Sequence, residues 1–318
     1  MSLKALWALN STASGQASSG ATSEWLTLSV PSWLSASSGS AKRPGFEGLI
    51  ISALLWTLGW TVLFYLLAWT QPMWMSRYPR SPKNHENERY WCTRQMTGLL
   101  HAVIVSLLAL PTLFYLIFAP RHQRYEIAHD LTWCSGSPDQ EIFNILVAAA
   151  GLAFTTFTVS DLVVCSIHGL MTPDYVVHHV VFITAGCIIR GNCMLPFQSS
   201  VLMAMEVSTP FLNYLQLIRN RGAAFEKPLR INGILFMLSF VVFRLILNTY
   251  GAIDLLFNIA YAMREAPAWQ GWFLVVAITV GMLLQFYWFK PILNKFFEIK
   301  NSLKKEPQNG YEKLENGA

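Results

Sequence analysis

The sequence predicts an all-α membrane protein with about seven transmembrane helices. Of its 318 residues, 53% are hydrophobic and only 13% are charged, whereas about a quarter of the residues of a soluble domain are charged. Apolar runs of about 20 residues, the length that crosses a bilayer as a helix, recur between residues 48 and 293. Lys and Arg residues are grouped in short stretches between these runs, as in the loops of membrane proteins.

The predicted spans follow the apolar runs in order along the chain. Their approximate bounds are 48–70, 97–118, 142–165, 176–190, 194–218, 231–263 and 270–290. The sixth run is longer than one bilayer crossing requires, so we expect a break in the helix near Gly251. The fourth run is short and begins at a pair of histidines.

The distribution of basic residues predicts the orientation of the chain. The loops after the first and fifth spans and the C-terminal tail hold most of the Lys and Arg residues, and they all fall on one side. The positive-inside rule makes this side cytosolic and the N-terminus lumenal. The glycosylation sequon at Asn10 then lies where it can be used. Cys134 and Cys193 also lie on the oxidising side, where they either form a disulfide or remain free thiols.

The same features divide the chain into four regions. Residues 1–46 are rich in Ser, Ala and Thr, and we expect them to form a flexible lumenal tail. Residues 47–87 contain the first span and its basic cytosolic loop, and residues 88–300 contain the remaining spans. The polar residues 301–318 are expected to form a disordered cytosolic tail.

The histidine pair His178-His179 lies at the start of the fourth span, where imidazoles without partners are costly. Asp161, at the end of the third span, lies at the same predicted depth. A carboxylate bonded to one ring nitrogen fixes the tautomer and leaves the other nitrogen as a base, so these three residues are the candidate catalytic groups. Asp174, one turn before His178, is a competing partner. Alternatively, the imidazoles cap a helix and bond across a helix–helix interface.

Further polar residues lie deep in the other spans. Glu206 and Arg244 lie at comparable depths in the fifth and sixth spans, and an ion pair between them explains both charges. Asn213 is two turns from Glu206 on the same face, and Pro210 should kink this helix, as at a cavity. We therefore predict that Glu206, Asn213, Arg244 and His101 bind a ligand. The alternatives are a structural clamp for Glu206–Arg244 and an interhelical hydrogen bond for His101.

Other kinds of site have no signal in the sequence. The histidine pair has no third ligand at metal spacing and the cysteines are scattered, so neither a metal site nor a cofactor is predicted. No nucleophile elbow, phosphate loop or dinucleotide fingerprint occurs in its required context. The basic residues do not gather on one surface, which argues against a nucleic-acid partner. Membrane lipids are the expected partners, and the sequence does not identify a protein partner.

Several ordered motifs resemble those of the TLC domain family. They are Arg94 with Leu100-His101-Ala102, Val159-Ser160-Asp161-Leu162, His178-His179, Glu206-Val207-Ser208-Thr209-Pro210-Phe211-Leu212-Asn213, Asn232-Gly233-Ile234-Leu235 and Phe243-Arg244. The resemblance covers about residues 88–300. It implies a barrel of six helices around a lipid-accessible cavity, with the first helix at the periphery. It also implies the endoplasmic reticulum as the membrane, with the plasma membrane as the alternative.

The pattern is more similar to the TLC domain-containing subgroup of small multi-pass proteins than to ceramide synthases. In ceramide synthases the histidine pair is followed in the next helix by a His-Asp-x-x-Asp run, and this chain has Glu206-Val207-Ser208-Thr209-Pro210 there. The resemblance implies a role in membrane lipid homeostasis, by binding or modifying acyl-chain lipids. One alternative is a ceramide-synthase-like N-acyltransferase with the histidine pair as base and acyl-CoA as co-substrate. The other is a non-enzymatic cargo receptor or chaperone.

Overall fold

A computed structural model describes residues 46–75, 88–119, 124, 141–192, 194–219, 221–263 and 267–315. Within these ranges the chain is almost entirely helical. The long helices are α1 (Phe46–Met75), α2 (Glu88–Phe118), α3 (Glu141–Ile167), α4 (Pro173–Asn192), α5 (Pro196–Ile218), α6 (Ala223–Phe257) and α7 (Ala268–Glu315). A short helix, Ile259–Ala262, lies between α6 and α7.

The helices confirm the predicted fold class. By length and composition, α1, α2, α3, α5, α6 and α7 are each able to cross a membrane. Helix α4 has 20 residues, and is about 30 Å long at 1.5 Å per residue. It is less apolar than the others because it carries Asp174, His178, His179 and Arg190. Among the described residues there are therefore six strongly apolar helices. The fourth predicted span is the less apolar helix α4, which carries the histidine pair.

Six helices form a closed ring. Each contacts the next in the order α2, α3, α4, α7, α6 and α5, and α5 contacts α2 again. Helix α1 packs on the outside of this ring, against α2 and α3. The side chains of Leu54, Leu55 and Trp69 on α1 remain exposed, as expected for a surface that faces lipid. The arrangement agrees with the barrel and the peripheral first helix that the resemblance implies.

The core around α2 is built from small side chains. Ala102, Val105 and Ala109 of α2 are fully buried, and Ala150 and Ala153 of α3 are buried against them. In a membrane, helix association depends on close packing, because lipid tails solvate apolar side chains as well as protein does. Small residues allow the backbones of α2 and α3 to approach each other.

Helices α5 and α6 are irregular near their middles. In α5 the segment Met205–Ser208 is a 3₁₀-helix. Pro210 has no N–H and cannot bond to the carbonyl of Glu206, which explains the irregularity predicted at this point. In α6 the segment Phe240–Leu247 is a π-helix. These two irregular segments contact each other.

The structure corrects two sequence predictions. Helix α6 continues through Gly251 to Phe257, so the predicted break at Gly251 is wrong. Gly251 serves close packing instead, because a Cβ atom there would lie 3.0 Å from Val201 on α5. Helix α7 continues to Glu315, so residues 301–315 are helical where we expected disorder; Lys, Glu and Leu in this stretch favour a helix.

Three other predicted features lie outside the described residues. They are the lumenal tail up to residue 45 with its sequon at Asn10, the basic residues of the loop 76–87, and the Cys134–Cys193 pair.

Candidate functional site

A cavity of about 410 Å³ lies inside the ring of helices. Every predicted site residue of the transmembrane region lines it, and these residues are His101, Asp161, His178, His179, Glu206, Asn213 and Arg244. Much of the remaining wall is aromatic, with Phe154, Phe157, Phe182 and Trp288. Ligand pockets in proteins typically occupy about 300–1,000 Å³, so this cavity has the size of a binding site.

Asp161 is the centre of the first polar cluster in the cavity. One of its carboxylate oxygens, Oδ2, accepts hydrogen bonds from the Tyr175 hydroxyl and, at 3.2 Å, from His179 Nε2. The other oxygen, Oδ1, lies 3.5 Å from Arg94 Nε and accepts a bond of 3.3 Å from the Cys165 thiol. The Arg94 guanidinium also stacks over the Tyr175 ring, 4.3 Å from its centroid. The buried carboxylate therefore joins α2, α3 and α4.

Both ring nitrogens of His179 are used within this cluster. Nε2 faces the Asp161 carboxylate, and Nδ1 lies 3.0 Å from the backbone carbonyl oxygen of Tyr175. Carboxylate and carbonyl oxygens only accept hydrogen bonds, so the structure places one acceptor against each nitrogen of His179 and leaves neither nitrogen free for a ligand. We had expected the nitrogen that does not face Asp161 to be available as a base. In His179 the backbone holds that nitrogen instead.

His178 has a different environment from its neighbour. Its ring lies among aromatic groups, with centroid distances of 4.5 Å to Phe182, 5.6 Å to His179 and 6.2 Å to Trp288. It makes no hydrogen bond with any residue that the structure describes. Asp174, the competing partner, is exposed at the end of the cavity near the α3–α4 connection and does not bond to it. Of the pair, His178 is therefore the histidine whose ring nitrogens can reach a ligand.

Glu206 and Arg244 form the second polar cluster, at the contact between the two irregular segments. Arg244 Nη2 lies 3.7 Å from Glu206 Oε1, so the predicted ion pair is present. Arg244 also donates from Nε to the Ser208 hydroxyl at 2.6 Å and from Nη2 to the Thr209 hydroxyl at 2.9 Å. All three partners belong to α5, so the guanidinium group fixes α6 against the interrupted part of α5.

His101 lies in a closely packed part of the cavity wall. Its side chain is only 2% exposed and stacks on Phe157 at 3.9 Å, with Trp60 of α1 edge-on at 5.7 Å. Its Nε2 atom is buried without a hydrogen-bond partner among the described residues. The interhelical hydrogen bond that we considered for His101 is therefore not formed there, and ring stacking holds the side chain in place.

Asn213 lies against the backbone of α2. A Cβ atom at Gly98 would lie 2.8 Å from Asn213 Nδ2, so the glycine makes room for the amide. In the part of the chain that the structure describes, no group of three or more His, Cys, Asp or Glu side chains is placed to hold a metal ion.

Comparison with protein families identifies the domain. A family model for the TLC domain (TRAM/LAG1/CLN8) matches residues 91–294, more than half of the chain. The protein belongs to the TLC domain family. No curated protein matches the chain significantly. All of the predicted cavity residues lie within the matched region of the TLC domain.

Several residues that contact the charged groups of the TLC domain cavity were not among the predicted site residues. Arg94 appeared only as part of a motif, and its contact with Asp161 was not predicted. Tyr175 could have been found, because it lies four residues before His179 and therefore on the same face of α4. The hydroxyl groups of Ser208 and Thr209 could also have been inferred from the need of a buried guanidinium for several acceptors.

Proposed function

We propose that this TLC domain protein binds an acyl-chain lipid in the cavity of its helical ring and acts in membrane lipid homeostasis. The observation that carries the proposal is that one cavity has both an aromatic wall and a concentrated set of polar groups. A lipid presents the same combination, with a polar headgroup joined to an apolar chain. Polar residues inside a membrane domain are costly and commonly mark the path or site of a ligand.

The position of the polar groups suggests how the lipid lies. Asp161 is near the end of α3, and His178 and His179 are in the first two turns of α4, so this cluster lies toward one end of the ring. In the orientation that the basic loops predict, this end is cytosolic. The headgroup would lie beside His178, and the chain would extend along Phe154 and Phe182.

Cellular lipid composition tests this function. Cells that lack the protein would be complemented with wild type, with His178→Phe, or with His168→Phe as the matched control. His168 lies at the end of α3 and does not line the cavity. We expect wild type and H168F to restore the lipid profile and H178F to restore it only in part. A full rescue by H178F, together with the absence of copurifying lipid in the wild-type protein, would contradict lipid binding at this site.

N-acyl transfer is a second candidate function, which the free ring of His178 favours. In this reaction His178 would take a proton from the amine of a sphingoid base as the nitrogen attacks the thioester carbon of an acyl-CoA. The C–N bond forms, the C–S bond breaks and the CoA thiolate leaves. Purified protein with both substrates would form an amide product. The absence of product at enzyme concentrations that suffice for a ceramide synthase would exclude this activity.

We also propose that the protein resides in the endoplasmic reticulum with its N-terminus in the lumen. The proposal is supported by the excess of Lys and Arg in the loops on the opposite side. In this orientation Asn10 receives a glycan, and digestion with a glycosidase shifts the band of the wild-type protein but not that of Asn10→Gln. Equal mobility of both proteins before and after digestion would argue against a lumenal N-terminus.

A further inference from the structure

The charged side chains of the cavity are already paired with one another. Arg94 pairs with Asp161, and Arg244 pairs with Glu206. The remaining charge in the wall, Asp174, is exposed to water at the end of the cavity. In the enclosed part of the described wall, each of the two guanidinium groups therefore faces one of the two carboxylates.

The polar groups without such partners are neutral. Within the described ranges, the side chains that line the cavity and make no hydrogen bond with the protein include His101, His178, Gln95, Asn213 and Gln216. Imidazole and amide groups both donate and accept hydrogen bonds. They suit hydroxyl, amide and ester groups, which also need both donors and acceptors.

A charged headgroup would fit this wall poorly. A phosphate would require a cation that is not already neutralised, and an ammonium group would require a free carboxylate. Either charge would enter the cavity without a counter-ion unless it broke the pairs at Asp161 or Glu206, and a buried charge without a partner is strongly unfavourable.

His101 provides a second, independent observation. Its side chain lines the cavity and is only 2% exposed, and its Nε2 atom lacks a hydrogen-bond partner among the described residues. A buried polar atom without a hydrogen bond costs about 1–3 kcal/mol. A polar group of a ligand that reached His101 would remove this cost.

We propose that the cavity selects lipids whose headgroup is uncharged and rich in hydroxyl, ester or amide groups, held by hydrogen bonds to His178 and His101. This inference rests on the proposed function, because it specifies which lipid the cavity takes. A monoacylglycerol represents the class.

Competition between lipids with matched chains tests the inference. The full-length protein in detergent is saturated with tritiated 1-monooleoylglycerol, and unlabelled monooleoylglycerol, 1-oleoyl-lysophosphatidate and oleylamine compete for the site. The three lipids have apolar chains of the same length. The headgroup of monooleoylglycerol is neutral, that of lysophosphatidate is anionic and that of oleylamine is cationic. We expect the neutral lipid to bind at least about tenfold more tightly than either charged lipid.

Two variants locate the headgroup and the source of the selectivity. His101→Phe keeps the ring that stacks on Phe157 but removes the hydrogen bond, and should lower the affinity for monooleoylglycerol about 2- to 10-fold. His168→Phe, outside the cavity, should leave it unchanged. Glu206→Gln removes a partner of Arg244 and should improve binding of lysophosphatidate relative to the neutral lipid.

The results separate this inference from the function on which it rests. Tighter binding of lysophosphatidate or oleylamine than of monooleoylglycerol, or equal affinity of wild type and H101F, would overturn the inference and leave lipid binding intact. If none of the three lipids binds, the proposed function and the inference both fail.

Discussion

Replacing Asp161 by Asn should destabilise the protein more than any other single change of charge in the cavity. The substitution keeps the size of the side chain but removes the charge that faces Arg94 and His179. At 3.5 Å and an effective dielectric constant of about 20, the attraction between Arg94 and Asp161 is about 5 kcal/mol before the cost of desolvation. Removing one partner of a buried pair typically costs about 3–5 kcal/mol, which is the loss in unfolding free energy that we expect.

Unfolding in detergent, followed by tryptophan fluorescence, measures this loss. Trp60 of α1 and Trp288 of α7 both contact histidines that line the cavity. The matched control is Asp174→Asn, the same chemical change at an exposed position in the first turn of α4. It should cost less than about 1 kcal/mol, the usual effect of a charge at a helix N-terminus. Equal stability of D161N and D174N would refute the structural role assigned to Asp161.

Two further predictions concern side chains of α5, Asn213 and Glu206. Gly98→Ala would place a Cβ atom 2.8 Å from Asn213 Nδ2. Because the amide can turn aside, we expect a loss of less than about 1 kcal/mol in unfolding free energy, but weaker lipid binding. The control Gly59→Ala, which has open space around its Cβ position, should bind lipid as the wild type does. Glu206→Gln should lower the unfolding free energy by about 2–3 kcal/mol, less than D161N, because Arg244 keeps its bonds to two hydroxyl groups of α5. Lipid binding and chemical unfolding of each variant check these values, and a loss for E206Q as large as for D161N would contradict the ranking.

The sequence predicts which charged residues of the transmembrane helices contact each other, because a charge inside a membrane requires a partner at the same depth. Glu206 and Arg244 must each find a partner at their own depth, and they find each other. The rise per residue similarly places Asp161 at the level of the histidine pair. Both conclusions require only positions along the helices, which the lengths of the apolar runs provide.

The sequence does not predict the rotation of each helix about its own axis. The side-chain contacts that we did not predict depend on this rotation. Depth alone did not indicate which of the two histidines contacts Asp161, or that Arg94 of α2 faces the same carboxylate. The π-helix Phe240–Leu247 contains no proline or glycine, so its composition carries no signal. Gly251 shows the converse case, because a glycine that suggested a helix break serves close packing instead.

The two histidines of the pair have separate tasks because adjacent residues point in different directions on a helix. His179 turns toward Asp161 on α3, and the carbonyl of Tyr175 on its own helix holds its second nitrogen. His178 turns toward Phe182 and Trp288, and no described residue holds its nitrogens. In the function that we propose, the lipid headgroup would meet His178, whereas His179 joins α4 to the buried carboxylate. The pair combines one structural group with one group available for binding, so its two members cannot be exchanged.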